Sequence, residues 1–379
     1  MRITLVPKYW VKDFKHKIGH HCESSSMRDL FEYFGFPISE AMAFGLDGTL
    51  GFGYFERSER VNDLTEPFFV GGKQDTINPN SLACRLLGMT LRKQSFSSAD
   101  KGWEEAKSLL NQDIPLILQV DIGYLPYEDF KDEIHFGGHT ITLGGYDDEN
   151  GVAFVGDTEF EGFQDISIEQ LKVARSSEKG SSYLWPKNAQ YSISPRTDGK
   201  RPPFAAAVKV AIQKVCNHML RPSITYHGVQ GLERFSKAIL NWKDILKGTI
   251  KNPYSQTEHK VAPLMFDLIY NYIENWGTGG GCFRKLYAEF LEELKTHPEI
   301  KEGPKKWTVD EMRILESCIS KINESARKWT EFAHILKEAG EKYQNDCLNH
   351  VNMNDLSELI FSILILEKEL FSKLSKLKN

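Results

Sequence analysis

Several familiar signatures are missing from this chain, and each absence closes off a class of function. The amino terminus, Met1-Arg2-Ile3-Thr4-Leu5-Val6-Pro7-Lys8-Tyr9-Trp10, has no apolar core and no small-residue cleavage site, so no secretory signal is expected and the chain reads as cytoplasmic. Long apolar runs are absent too. The longest, Leu359 to Leu366, is broken by Ser362 and falls far short of the ~20 residues that span a bilayer, so no membrane is expected. The six cysteines, Cys22, Cys84, Cys216, Cys282, Cys318 and Cys347, include no C-x-x-C pair. That argues against a zinc site and, in a reducing compartment, against a disulfide framework. Excess positive charge is lacking as well: 47 Lys and Arg against 52 Asp and Glu leave a formal net charge of −5, without the basic footprint of a nucleic-acid-binding protein. What remains is an ordinary globular composition, 41% hydrophobic and 26% charged, in 379 residues, enough for two domains with a core each.

The chemistry is concentrated in two stretches. The first is His20-His21-Cys22-Glu23-Ser24-Ser25-Ser26-Met27-Arg28-Asp29-Leu30-Phe31. Met27, Leu30, Phe31 and Phe34 recur at helical spacing, three serines able to cap a helix precede them, and Gly35 and Pro37 follow as stop signals. Cys22 therefore falls at or just before a helix N-terminus. Unpaired N–H groups and the positive end of the macrodipole favour an anion there, and the thiolate is the nucleophilic form of the side chain. A cysteine picked at random is more often a small buried hydrophobe. Cys22 differs in its polar neighbours and in opening the helix rather than lying on its apolar face.

A thiolate nucleophile needs a base, and the base needs an orienting acceptor. Residues 139–146 read as one strand, Asp148-Glu149-Asn150-Gly151 as a turn, and residues 152–156 as the return strand. His139 opens the first strand and Asp157 ends the second, so antiparallel pairing brings them to the same end of the hairpin. Asp157 can then accept the imidazole N–H and hold the ring towards a sulfur. Asp148 belongs to the solvated tip, at the wrong end. The pair His135 and His139 raises a metal site, but two glycines between them argue against a helix presenting both, so His135 reads as a contact to substrate or to the site's own residues.

Along the rest of the chain, a Gly-rich passage from Gly45 to Phe55, containing Tyr54, lacks the Lys-Ser/Thr of a phosphate loop and reads as a tight loop and strand. Residues 80–88 read as a helix, 90–96 a strand, 100–111 an amphipathic helix and 114–121 a buried strand ending at Asp121. The loop Ile122-Gly123-Tyr124-Leu125-Pro126-Tyr127 either shapes access to a site or is a surface turn with packed tyrosines. Ser194 to Pro203 is polar and turn-rich, as a linker is. Helices are expected near 204–219, 229–246, 259–276, 283–296, 308–340 and 354–377. Gly277-Thr278-Gly279-Gly280-Gly281, running into Phe283-Arg284, either offers backbone N–H groups and a charge to an anionic ligand or is a plain helix–helix turn.

The order of cysteine at a helix start, histidine at a strand start and aspartate one strand later resembles the papain-like superfamily. The hairpin is similar to that of bacteriocin-processing peptidases fused to ABC transporters. More specifically, HCESSSMRDLFEYFGFPISEAMAFGL, HFGGHTITLGGYDDENGVAFVGDTEF and ISIEQLKVARSS resemble the amino-terminal domain of the butirosin biosynthesis protein H family, and the stretch from Trp276 to Leu291 resembles its accompanying helical domain. The resemblance implies an α+β protein: a papain-like cysteine peptidase or acyltransferase domain with an antiparallel sheet over residues 1–200, then an all-helical domain over 201–379 completing the substrate pocket. It implies an acyltransferase that moves an aminoacyl-like group from the phosphopantetheine arm of an acyl carrier protein to a small amine, through acyl-Cys22, with His139 and Asp157 as base and orienter and no bound cofactor or metal. Substrate contacts implied are Glu23, Tyr54, Asp121, Tyr124, His135, Gly279, Gly280 and Arg284; a homo-oligomer is compatible with it. The chain departs from the papain-like pattern at His16, where those enzymes carry a glutamine that donates into the oxyanion hole. Two other readings remain: a peptidase or amidase with water as acceptor, and a non-catalytic binding protein.

Overall fold

Residues 139–147 form a strand buried at every position, and the first half of the chain is arranged about it. The computed structural model describes residues 7–57, 66–130 and 134–378. In chain order the elements are β1 (Lys8–Trp10), α1 (Cys22–Tyr33), α2 (Glu40–Asp47), β2 (Leu50–Glu56), β3 (Phe68–Lys73), α3 (Leu82–Leu86), β4 (Met89–Gln94), α4 (Ala99–Leu110), β5 (Leu116–Val120), β6 (His139–Asp147), β7 (Val152–Gly156), β8 (Phe163–Ser167), α5 (Ile168–Ser176) and β9 (Gln190–Pro195). Then come α6 (Phe204–Leu220), α7 (Gly228–Ile239), α8 (Trp242–Ile245), β10 (Thr249–Lys251), β11 (Glu258–Lys260), α9 (Val261–Glu274), α10 (Arg284–Thr296), α11 (Pro298–Lys301), α12 (Val309–Lys342) and α13 (Met353–Leu374). Among the described residues no helix is long and apolar enough to cross a membrane.

The chain forms two units, Met1–Ala43 with Ile77–Lys200, and Phe44–Thr76 with Arg201–Asn379. In the first, an antiparallel sheet runs in the order β4-β9-β5-β6-β7-β8, with β1 also paired to β6. β6 is long enough to pair β5 through His139–Leu143 and β1 through Gly145–Asp147 along one edge, and β7 along the other. With partners on both edges and α1 and α4 packed on it, β6 reads as an apolar run with threonines rather than an alternating strand. The β6–β7 turn closes at Gly151 (φ 68°), where a residue without Cβ is favoured. Its acidic tip is paired off: Lys8 Nζ lies 2.8 Å from Asp147, and Lys107 Nζ 2.9 Å from Asp148.

The second unit corrects three expectations. A single division at residue 200 fails because residues 44–76 belong with the helices. β2 and β3 have strand composition but pair only with each other, Tyr54 opposite Val70, and their aromatic faces pack into the helical core. Phe52 stacks on Trp329 at 5.5 Å, Phe68 on Trp242 at 5.5 Å, and Tyr54 lies 5.2 Å from Phe235. Burying each such ring contributes roughly 1.5–3 kcal/mol, so the hairpin is a structural part of that unit. The unit is accordingly not all-helical, and a further two-stranded ribbon, β10–β11, precedes α9. The helix expected over 229–246 breaks at Leu240 and Asn241 into α7 and α8.

Candidate active site

Cys22 is the first residue of α1, and the residue that caps the helix is His21 rather than a serine. His21 is extended (φ −114°, ψ 122°) and its Nδ1 accepts from the Ser24 N–H at 3.2 Å, which leaves Ser24 and Ser25 inside the helix. The approach to the cysteine is fixed by Glu40 at the start of α2. Its carboxylate accepts from the backbone N–H of His21 at 2.7 Å, that of His20 at 2.9 Å and the Ser24 hydroxyl at 3.2 Å. A Cβ on Gly19 would stand 2.6 Å from the Ser25 Cβ, so the turn needs glycine for space. Gly19 N–H also donates to the Thr158 carbonyl at 2.8 Å, and the Ser25 and Thr158 hydroxyls share a hydrogen bond at 3.0 Å. The start of α1 is thereby tied to the residue that follows Asp157. Cys22 is half-buried, whereas the other five cysteines are buried.

His139 and Asp157 meet as antiparallel pairing requires. Nε2 of His139 donates to the Asp157 carboxylate, 2.8 Å from Oδ1 and 3.0 Å from Oδ2, which leaves Nδ1 for the Cys22 sulfur. Burial alone disfavours a charged ring. The carboxylate of Asp157 and its hydrogen bond, reinforced by interaction with Cys22, outweigh burial and hold the His139 imidazolium well above the usual histidine range. Asp157 is held in turn by the Thr158 N–H at 2.7 Å and the Tyr127 hydroxyl at 3.1 Å. Burial and the Asp157 charge push the Tyr127 hydroxyl far up, so it stays protonated and remains a donor. Next to it, Glu128 is pushed up to about 7 by burial and the Asp157 charge, opposed by His139.

His16 takes no part in an oxyanion hole. Its Nδ1 lies 2.7 Å from Asp29, and its Nε2 lies 2.9 Å from the Asp157 carbonyl and 3.2 Å from that of Phe160. Both ring nitrogens are thus engaged by groups of the fold, and neither is left for a substrate. Asp29 is further held by Arg28, whose Nε and Nη2 lie 3.0 and 2.8 Å from Oδ1. The Cys22 backbone N–H, by contrast, has no hydrogen-bond partner among the described residues.

Several of the residues expected at the substrate are engaged by partners within the fold. Glu23 is buried, with one carboxylate oxygen accepting from the Ile77 N–H at 2.8 Å. Asp121 and His135 form a buried pair at 2.9 Å, and the same carboxylate accepts from the Ser177 hydroxyl at 2.6 Å. His135 Nε2 faces Lys179 Nζ at 3.2 Å, and that ammonium also lies over the Tyr124 ring at 5.0 Å. This cluster clamps the loop leading into His139. Tyr54 is fully buried in the second unit and donates to Glu56 at 2.9 Å. Arg284 is also fully buried there, its Nε and Nη2 each 2.8 Å from the Glu367 carboxylate and its Nη1 2.7 Å from the Cys282 carbonyl. The glycine loop does bind an anion, but one of its own: the Gly281 N–H donates to Glu274 at 2.9 Å, while the Gly280 N–H is taken by Thr278 at 2.9 Å. Gly279 and Gly280, at φ 64° and 87°, supply turn geometry. Glu40 and Asp29 had no sequence signal, because each acts across a loop with no local pattern. Tyr127 and Glu128 could have been found at the end of the aromatic loop.

The molecule is thus an α+β protein with an antiparallel sheet and a helical unit, and it carries a Cys–His–Asp constellation at a helix N-terminus. It belongs to the butirosin biosynthesis protein H-like family: residues 21–158 match Butirosin biosynthesis protein H, N-terminal, and residues 169–374, over half the chain, match Domain of unknown function (DUF4872). Cys22, His139 and Asp157 all lie within the first match, whose name is that of a biosynthetic protein. None of the curated proteins matches the chain.

Proposed function

We propose that the protein is a cysteine acyltransferase on a papain-like scaffold, which moves an acyl group from the phosphopantetheine thioester of a carrier protein to a small amine. The observation that carries this is the contact of His139 with Asp157 at 2.8 Å, with the ring's other nitrogen left for a half-buried cysteine at a helix start. The Cys22 thiolate attacks the thioester carbonyl, the imidazolium protonates the departing pantetheine thiol, and acyl-Cys22 remains. An amine then attacks the acyl carbonyl, His139 takes its proton and the thiolate leaves. Asp157 keeps the ring oriented, and the unpartnered Cys22 N–H is available to the oxyanion. A buried His139–Asp157 pair joined to α1 through Thr158 supports a working site over a vestigial one.

A peptidase or amidase would use the same residues with water as acceptor. Incubation with a model acyl thioester, with and without a polyamine or aminosugar, separates the two. The expected result is an acyl adduct on Cys22 by intact mass and amide as the main product when amine is present, with Cys22→Ala losing at least about a thousandfold. Free acid in equal yield with or without amine would make it a hydrolase.

A further inference from the structure

One carboxylate beside this site has no partner among the described residues. Tyr127 and Glu128 follow a turn closed by the Glu128 N–H donating to the Leu125 carbonyl at 3.2 Å, and the Tyr127 hydroxyl anchors that turn directly on Asp157 at 3.1 Å. The Tyr127 ring rests edge-on against Phe160, centroids 4.9 Å apart, fixing the turn against the end of the β6–β7 hairpin. Glu128 is therefore held next to the constellation, half-buried, within electrostatic reach of Asp157, His139 and Glu159. Asp157 is committed to His139, Thr158 and Tyr127. The Glu128 carboxylate makes no hydrogen bond or ion pair with any described residue. A half-buried carboxylate left unpaired beside another carboxylate is unfavourable unless a cation or a proton joins it.

The acyl-transfer chemistry above, on which this inference rests, needs such a group. At neutral pH an alkylamine arrives as an ammonium ion and must lose two N–H protons to become an amide nitrogen, whereas water loses one proton in forming the acid. His139 can take one. We propose that Glu128 takes the other: its carboxylate receives the acceptor's ammonium group and accepts the first proton, releasing a free amine beside acyl-Cys22. The nitrogen lone pair then forms the C–N bond, the C–S bond breaks, and the second proton passes to His139, restoring the thiolate and imidazolium. Glu128 returns its proton to solvent. Its position near 7, between free carboxylic acid and amine, suits a group that must first pair with an ammonium and then deprotonate it. Glu128 is thus what adapts a Cys–His–Asp site to amines rather than water.

The test compares wild type with Glu128→Gln at three steps. Formation of acyl-Cys22 from a model thioester and release of free acid without amine should be unchanged. Amide formation with an alkyldiamine at pH 7 should fall at least tenfold in the variant, and its rate should rise about tenfold per pH unit as the free amine becomes available. Hydroxylamine, already a free base at pH 7, should be used equally well by both proteins. Equal diamine rates in wild type and variant would overturn the inference, and so would a parallel loss with diamine, hydroxylamine and acylation, which would mark Glu128 as structural. Failure of the wild type itself to form acyl-Cys22 would overturn the acyl-transfer reading and this inference with it, and is recognisable without the variant.

Discussion

At the scale of single residues, reactivity and protonation are the testable quantities. Burial pushes the Cys216 and Cys282 thiols up to about 12 and raises those of Cys318 and Cys347. Iodoacetamide at pH 7 should therefore modify Cys22 first, and peptide mapping should show this preference shrinking at least tenfold in His139→Ala. The His139–Asp157 pair has a pH signature of its own. A histidine raised in the fold contributes stability fully below its unfolded value of about 6.5, and loses it as pH rises through the higher folded value. The melting-temperature gap between wild type and Asp157→Asn should be widest at pH 6 and narrow in alkali. Glu128 shifts stability with pH in the same sense, over a lower window. A raised carboxyl binds its proton more tightly in the fold, so stability falls between about 4.5 and about 7, and Glu128→Gln should melt above wild type at pH 8 but not at pH 4.5. His139 and Asp157 were legible in the sequence because Asn150-Gly151 fixes a turn and antiparallel strands bring their ends together. The role of His16 was not, since its partners Asp29, Asp157 and Phe160 are set by tertiary packing alone.

At the scale of elements, the start of α1 depends on groups that no helix signal marks. The polar run after Cys22 announced a helix N-terminus, but the group that organises it, Glu40, arrives from the next helix. Replacing Glu40 by Ala strands the His20 and His21 N–H groups and should cost about 1–3 kcal/mol in urea unfolding. The loss of Cys22 alkylation should be larger than that stability change explains, because the turn aims the sulfur. Gly19→Ala should do the same by crowding Ser25. In the second unit the helix α10 was legible as a periodic run after glycines, while the fate of Arg284 was not. A positive charge beside consecutive glycines looks like a ligand site, and its true partner, Glu367, lies on α13. Ser325 and the Trp329 indole N–H also donate to that carboxylate, at 2.6 and 3.2 Å. Glu367→Ala should cost roughly 3–5 kcal/mol by leaving a buried guanidinium unpaired, and Arg284→Met with Glu367→Leu should recover most of it by differential scanning calorimetry.

At the scale of the whole molecule, composition announced two domains and the polar stretch near residue 200 announced a boundary, but not that residues 44–76 leave the first unit and return at Ile77. A hairpin is recognisable from its own alternation, whereas the surface it packs on is chosen by aromatic residues such as Trp242 and Trp329, far along the chain. This excursion has a consequence during synthesis. The ribosome makes β2 and β3 early, yet the helices that bury Phe52, Tyr54 and Phe68 follow only after Arg201, on the order of ten seconds later at ordinary elongation rates. For that interval a nascent hairpin with three large aromatic rings waits without a partner. Holding chaperones should therefore engage this protein between its two halves, and a chain stopped at residue 200 should precipitate where the full chain stays dissolved.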